Sequence, residues 1–464
     1  MASKRYTNHK KSQEWFKRAV DVIPSGIYGH LGPAEGLWLP TTSWPFFSEK
    51  AEGSYMWDVD GNRYIDYMCA YGPNVLGYND PDVNAAAMKQ AELANCTTTP
   101  SYKMVEFAEL MVDTVASADW AFFAKNGNDT TQAAIMCARY HTHKKKIIFV
   151  NGFYHGVSMW TQKLDYPGVL PEDVANNLYV DWNDIPALEK LIAENKDEIA
   201  AFIATPYMHG NFLDNELPAE GYWQKVRKLC TEKGIVLIVD DVRCGFRLDL
   251  AGSDHYYGFE ADLICFCKAL ANGWNVSCLC GKDFLKSAMS GLSYTGSYWM
   301  SAVPFAAGIA CIEKLKKLDA PAMFRKLGTQ LTVCTFLIGL WFDLTDVDRI
   351  TVTVSGLIIS IIRIRNTLYL DRGKALHAFD RSHLLHDLAG KFINYGIILC
   401  IGTSLTENGR EGMLTYKSAA CDGMESIVLH DVTKFDQCII KASVTESNNR
   451  HSKCSVTLNS CKIF

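Results

Sequence analysis

The chain has 464 residues, 48% of them hydrophobic and 21% charged, enough to bury a large core and to form two or three domains. Its 51 acidic and 46 basic residues leave a formal charge of -5 with no long run of one sign. That balance excludes a general attraction to nucleic acid or to an anionic membrane and leaves a small molecule as the expected partner.

In chain order, residues 1–13 are polar and basic with no apolar signal core, so a cytoplasmic location is expected, and the glycosylation tripeptides at Asn95, Asn128 and Asn275 read as chance matches. An amphipathic helix is predicted over 13–22, followed by a Gly/Pro-rich stretch over 24–45 that must be loop or extended. From about 55 to 310, short apolar runs alternate with helical patterns, the mark of an α/β domain on a mostly parallel sheet. The runs at 120–123, 147–150, 200–204, 235–239 and 263–267 each end at a polar loop. Ligands of open α/β sheets bind outside such strand ends, so five loops converge on one crevice. Residues 311–328 read as helical. The apolar stretches at 331–344 and 355–364 are too short to span a membrane, and the polar segment from 402 has no assignable pattern.

Sixteen cysteines occur, and Cys265, Cys267, Cys278, Cys280 and Cys311 fall inside apolar runs, where free thiols pack as small hydrophobes in a reducing compartment. The pairs Cys265/Cys267 and Cys278/Cys280 have one intervening residue, and no histidine follows at ligand spacing, so no metal site is expected.

Two residues at neighbouring run ends carry the chemistry. Lys268 follows an apolar run, and a lysine held in an apolar pocket loses its proton more easily and can condense with an aldehyde as a Schiff base. Asp240 ends the preceding run, where a carboxylate can keep a pyridine nitrogen protonated and make the ring an electron sink. Together they describe a pyridoxal phosphate (PLP) site. Asp241 is the weaker partner because alternate strand residues face opposite sides. Asp240 has a structural reading too, as a helix cap or a partner of Arg243 or Arg247. Gly127 and Asn128 lie between a run and a helix, where backbone N–H groups favour a phosphate, although an N-cap turn accounts for the same residues. Tyr154 can stack on a cofactor ring, and His155 reads as a structural hydrogen-bonder. Tyr28, Trp38, Trp44 and Trp299 suit either an aromatic substrate pocket or an interface core.

In this order and spacing, residues 53–67 (Gly-Ser-Tyr-Met-Trp-Asp-Val-Asp-Gly-Asn-Arg-Tyr-Ile-Asp-Tyr), 72–77 (Gly-Pro-Asn-Val-Leu-Gly), 126–131 (Asn-Gly-Asn-Asp-Thr-Thr), 154–156 (Tyr-His-Gly), 240–247 (Asp-Asp-Val-Arg-Cys-Gly-Phe-Arg) and 268–273 (Lys-Ala-Leu-Ala-Asn-Gly) stand out. The set resembles the class III PLP-dependent aminotransferases of fold type I, in the group related to glutamate-1-semialdehyde aminomutase, over residues 15–328. The resemblance implies an α/β fold with a mostly parallel central sheet and helices on both faces, plus a small domain from the N- and C-terminal segments. Its expected divisions are 1–60 and 311–400 for the small domain, 61–310 for the large PLP-binding domain, and 401–464 as an atypical tail.

It further implies that Lys268 forms the Schiff base, Asp240 pairs with the pyridine nitrogen, and Val242 and Tyr154 pack on the two ring faces. His155 would belong to the same cofactor-binding set, while Gly127 and Asn128 would bind the phosphate through backbone groups. Ser297, in Gly296-Ser297-Tyr298-Trp299, would reach the cofactor of a neighbouring subunit, so a homodimer with shared active sites is implied. The implied substrates are a small-molecule amino donor and a carbonyl acceptor. Asp129 and Asp241 stand where the family usually has Glu, and Arg243 where it often has Gln or Met, placing a cation near the cofactor's phenolic oxygen. Residues 25–33 offer His30 and no Arg where the aminomutases receive the substrate carboxylate, which favours an aminotransferase. An intramolecular 2,1-aminomutase remains an alternative, as does a catalytically impaired or truncated product, since after 328 only about 387–398 matches the family's small domain.

Overall fold

A computed structural model describes residues 8–24, 26, 47–209 and 215–341, with strands beyond them. The chain divides into two compact units, Cys69–Arg325 and Met1–Met68 with Lys326–Ile463.

The first of these holds the sheet. Its elements are α2 (Pro81–Leu93), α3 (Lys103–Thr114), β4 (Trp120–Ala124), α4 (Gly127–Thr142), β5 (Lys146–Val150), α5 (Pro171–Val174), β6 (Asn177–Val180), α6 (Ile185–Glu194), β7 (Ile199–Ala204), α7 (Tyr222–Lys233), β8 (Val236–Asp240), α8 (Ser253–Tyr256), β9 (Leu263–Phe266), β10 (Ser277–Gly281), α9 (Asp283–Ser290) and α10 (Ala302–Lys317). Seven strands lie in the order β4-β10-β9-β8-β7-β5-β6, all parallel except β10, which runs antiparallel to both β4 and β9. The mostly parallel sheet expected from the apolar runs is present.

Side-chain alternation explains why the sheet is covered on both faces. Ile148, Leu237, Val239, Ile264, Phe266, Cys278 and Cys280 join one apolar layer, while Ile147, Phe149, Val236, Ile238, Leu263, Cys265 and Leu279 join the other. Each strand thus sends odd and even residues to opposite layers, and every residue of β7 and β8 is buried. Burying each such Ile, Leu or Phe contributes about 1.5–3 kcal/mol. On one layer, small residues of α4 (Ala133, Ala134, Cys137, Ala138) allow close approach to the strands. On the other, Phe107 stacks on Phe123 at 5.0 Å, with Phe305 against both. Asp80 caps α2 by accepting from the Asp82 and Val83 N–H groups, and Lys314 of α10 reaches both Asp80 and Asp82 at 2.7 Å.

The other unit begins with α1 (Lys10–Val22), three residues earlier than the periodicity suggests, and an antiparallel sheet of β1 (Ser48–Glu52), β2 (Tyr55–Asp58) and β3 (Arg63–Ile65). Asp60 caps α1 through the Lys11 and Ser12 N–H groups, and Asp58 accepts from Asp60, Asn62 and Tyr64. The gathering of His9, Asp58 and Asp60 is therefore explained by helix and turn closure. Helix α11 (Ala320–Trp341) extends well past the predicted helical segment. Beyond it, β11 (Arg349–Val354), β12 (Leu357–Ile364), β13 (Thr367–Leu370), β14 (Lys374–Leu376), β15 (Ile427–Leu429), β16 (Cys438–Ile440), β17 (Ser443–Thr445) and β18 (Lys453–Thr457) form a six-stranded and a two-stranded sheet. Tyr28, His30, Trp38, Trp44 and residues 387–398 lie outside the described residues. Among the described residues, no helix is long and apolar enough to cross a membrane.

Candidate active site

At the carboxyl ends of the parallel strands lies a cavity of about 430 Å³, lined among others by Gly127, Asn128, Tyr154, His155, Asp240, Val242 and Lys268. Seven of the eight residues singled out from the sequence therefore meet in one place. The eighth, Ser297, lies exposed in the turn before α10, where its carbonyl accepts from the Cys96 thiol, and it is not among the described residues lining the cavity. Trp299 packs edge-on against Phe122 and Tyr294 rather than on the cavity wall. A crease of about 800 Å³ at the opposite strand ends is lined by charges already paired, Arg227 with Asp262 and Lys282 with Glu260.

Lys268 opens a short 3-10 turn, separated from the end of β9 by Cys267, at a backbone φ of +38°. Burial brings its amine from 10.5 down to about 8, the Arg243 guanidinium pushes the same way, and the Asp240 carboxylate opposes both. Asp240 is the last residue of β8, 4% exposed, and pairs in register with Cys265 of β9. His155 donates from Nδ1 to Asp240 Oδ2 at 2.7 Å, and the Val242 N–H reaches Oδ1 at 3.2 Å. The histidine thus fixes the carboxylate, which agrees with its structural reading. Asp241 points the other way, fully buried, accepting from the Ser253 N–H and hydroxyl, and burial raises it to about 7. Arg247 donates to the carbonyls of Arg243, Gly245 and Gly72, so it is not the partner of Asp240 that a structural reading would suggest.

The loop over α4 is held by side chains that sequence reasoning did not place. Asn128 Oδ1 accepts from Val157 N–H, Ser158 N–H and the Ser158 hydroxyl at 2.7–3.0 Å, and the Thr131 hydroxyl donates to the His155 carbonyl at 2.8 Å. This brings Asn128 Oδ1 to 2.5 Å from where a Cβ would stand on Gly156, whose φ is +112°. A Cβ on Gly127 would likewise meet Val242 Cγ1 at 2.8 Å. Asp129 turns its carboxylate back to the Lys125 and Asn126 N–H groups, closing the start of α4. Arg243 donates from Nη1 to His209 Nδ1 at 3.0 Å and to its carbonyl at 3.3 Å. Burial, then the Arg243 charge, hold His209 well below the ordinary histidine range, so its proton resides on Nε2.

A group with a phosphate, an aldehyde and a basic ring nitrogen fits these residues. Gly127 lines the cavity at the start of a 16-residue helix, whose first N–H groups have no intrahelical acceptor. The Nζ of Lys125 and Nε2 of His155 and His209 are buried without hydrogen-bond partners among the described residues, as expected of polar atoms that a ligand completes. Tyr154 and Val242 supply an aromatic and a branched aliphatic surface in the same cavity.

The sheet order, with a lysine and an acid on adjacent strand ends beside the start of α4, is that of a PLP-dependent transferase of fold type I. The chain belongs to the class-III aminotransferase family, whose model matches residues 40–333. It is 41% identical over 310 residues to an aminopentol aminotransferase of Sphingopyxis macrogoltabida, covering 67% of this chain and 72% of the relative. It is 34% identical over 317 residues to a glutamate-1-semialdehyde 2,1-aminomutase of Methanosphaera stadtmanae, covering 66% and 73%. The FumI protein of Sphingopyxis sp. MTA144, solved in its PLP internal aldimine form, superposes with a TM-score of 0.69 at 36% identity, over 76% of this chain and 83% of that one. The protein is accordingly a PLP-dependent transaminase acting on small molecules.

Proposed function

We propose that Lys268 and Asp240 carry the transamination and that the other cavity residues position the cofactor. The observation behind this is their placement on adjacent strand ends in one cavity, with the lysine amine brought to about 8. When bound, PLP would supply an electron-withdrawing ring able to stabilise a carbanion at the substrate α-carbon. Lys268 Nζ would hold the cofactor's aldehyde carbon, and as a neutral amine it would take the α-proton of the amino donor and return it. An amine titrating at about 8 is neutral in a larger fraction of molecules near neutral pH than an ordinary lysine and still takes up a proton readily, which suits it to both tasks. Asp240, steadied by His155, would hold a proton on the ring nitrogen and so favour electron withdrawal by the ring. Tyr154 and Val242 would pack against the ring, and the backbone N–H groups of Gly127 and Asn128 would take the phosphate.

Ser297 serves the cavity of a second copy, which makes a homodimer the active unit. Its exposure outside its own chain's cavity supports this. Residues 1–60 and 311–400 supply the small domain, and 61–310 the large one. The free, buried thiols at Cys265, Cys278, Cys280 and Cys311 support a reducing, cytoplasmic setting.

The experiment is a spectroscopic titration of the PLP-loaded protein with a panel of amino donors. Conversion of the visible band to that of pyridoxamine phosphate, with one equivalent of keto product released, supports the proposal. Turnover of an amino aldehyde with no separate acceptor and no released keto product would replace it with the aminomutase reading.

A further inference from the structure

Lys125 has no role in the chemistry above, yet its environment requires one. It lies between β4 and α4 and lines the cavity, but it is only 8% exposed and its Nζ has no hydrogen-bond partner among the described residues. The ring of Phe305 stands 5.8 Å away, itself packed on Phe107 and Phe123. Burial lowers this amine to about 8, opposed by the neighbouring Cys96 thiol. An ammonium buried without a partner weakens a fold, and such groups are concentrated where a ligand completes them.

The charges around the cavity indicate which ligand. Among the described residues, three Lys or Arg side chains line it: Lys125, Arg243 and Lys268. Arg243 is tied to His209, and both Arg243 and Asp240 act on Lys268, so these charges belong to the ends of β8 and β9. At the start of α4 stand Lys125 and the Asp129 carboxylate, which accepts from the Lys125 and Asn126 N–H groups. A helix N-terminus offers roughly half a positive charge, and Asp129 offsets it. A phosphomonoester seated there carries up to two negative charges and needs a full cation beside it.

We propose that Lys125 is the cation of an anion site at the start of α4, where its Nζ binds the phosphate of PLP beside the N–H groups of Gly127 and Asn128. The assignment rests on the PLP reading and adds a side-chain charge to a cradle otherwise built from backbone. It also makes stability and binding move in opposite directions. Removing the ammonium relieves the cofactor-free fold and weakens the phosphate complex.

The test uses the full chain stripped of cofactor. Lys125→Met should bind PLP roughly 10- to 100-fold more weakly, the loss expected for one charge-assisted hydrogen bond, with affinity for pyridoxal unchanged. Inorganic phosphate should raise the melting temperature of wild type and not of the variant, and the cofactor-free variant should melt at or above wild type. Lys125→Arg keeps the charge and should keep the phosphate response, which preserves the test if the Met variant does not fold. Wild-type affinity for PLP in Lys125→Met, an equal loss for PLP and pyridoxal, or no phosphate response in Lys125→Arg would overturn the assignment. A wild-type protein that takes up neither PLP nor pyridoxal would instead overturn the cofactor reading itself.

Discussion

A lysine captures an aldehyde only as the neutral amine, so proton concentration should control how fast Lys268 takes up PLP. Burial brings this amine from 10.5 to about 8, with Arg243 reinforcing the shift and Asp240 opposing it. At pH 7 an amine titrating at about 8 is neutral in roughly one molecule in ten, against roughly one in three thousand at the ordinary value, an advantage of about 300-fold. Stopped-flow mixing of cofactor-free protein with PLP between pH 6 and 10 reads this directly, with Lys268→Ala as the blank. The rate should climb about tenfold per pH unit up to about 8 and then level off. Arg243→Gln, which keeps a donor for His209 and removes the charge, should move the midpoint upward. The same shift has a stability sign: between about 8 and 10.5 the unfolded chain holds the extra proton, so this group's contribution to stability grows as pH rises through that window. A midpoint near 10.5, or equal rates in Lys268→Ala and wild type, would refute the reasoning.

Asp240→Asn keeps the shape of the side chain and removes its charge, so PLP should still bind while the half-reaction with an amino donor slows by about 10²-fold or more in single-turnover kinetics. Gly156→Ala forces a left-handed backbone on alanine and drives its Cβ into Asn128 Oδ1, displacing the acceptor of three hydrogen bonds. A loss of about 2–4 kcal/mol in urea denaturation is expected, and a change of under about 1 kcal/mol would contradict the anchoring role. Burial raises Asp241 to about 7, above its ordinary 3.8, so between roughly pH 4 and 7 the folded state holds the extra proton and stability falls as pH rises. Asp241→Asn has no proton to lose and should show a smaller drop in unfolding free energy from pH 5 to pH 8 than wild type; an identical drop would place the pH response elsewhere.

The strand ends were readable because parallel strands covered on both faces appear as continuous apolar runs, and the residue after each run must lie in the crevice. That logic located Lys268, Asp240, Gly127 and Tyr154, and alternation along the strand separated Asp240 from Asp241. Strand β10 was not readable as the antiparallel neighbour of β4, because pairing between segments more than 150 residues apart leaves no local pattern. The half-exposed β6 carries only four residues and was missed for the same lack of signal. His155 as the partner of Asp240 spans 85 residues, and the Asn128 carbonyl as anchor of the loop after Gly156 depends on backbone geometry. Lys125 stood in plain view in the turn before α4, but its burial and its lack of a hydrogen-bond partner are properties of packing. Trp299 shows the opposite limit, since an aromatic residue beside a functional turn carries no mark of which wall it will face.

The most direct measurement is to load the protein with PLP, reduce it with borohydride, and locate the label by peptide mass spectrometry. The label is expected on Lys268, in one equivalent per chain, and absent from Lys268→Ala. A label on another lysine, Lys125 included, or none at all in the wild-type protein, would contradict the account.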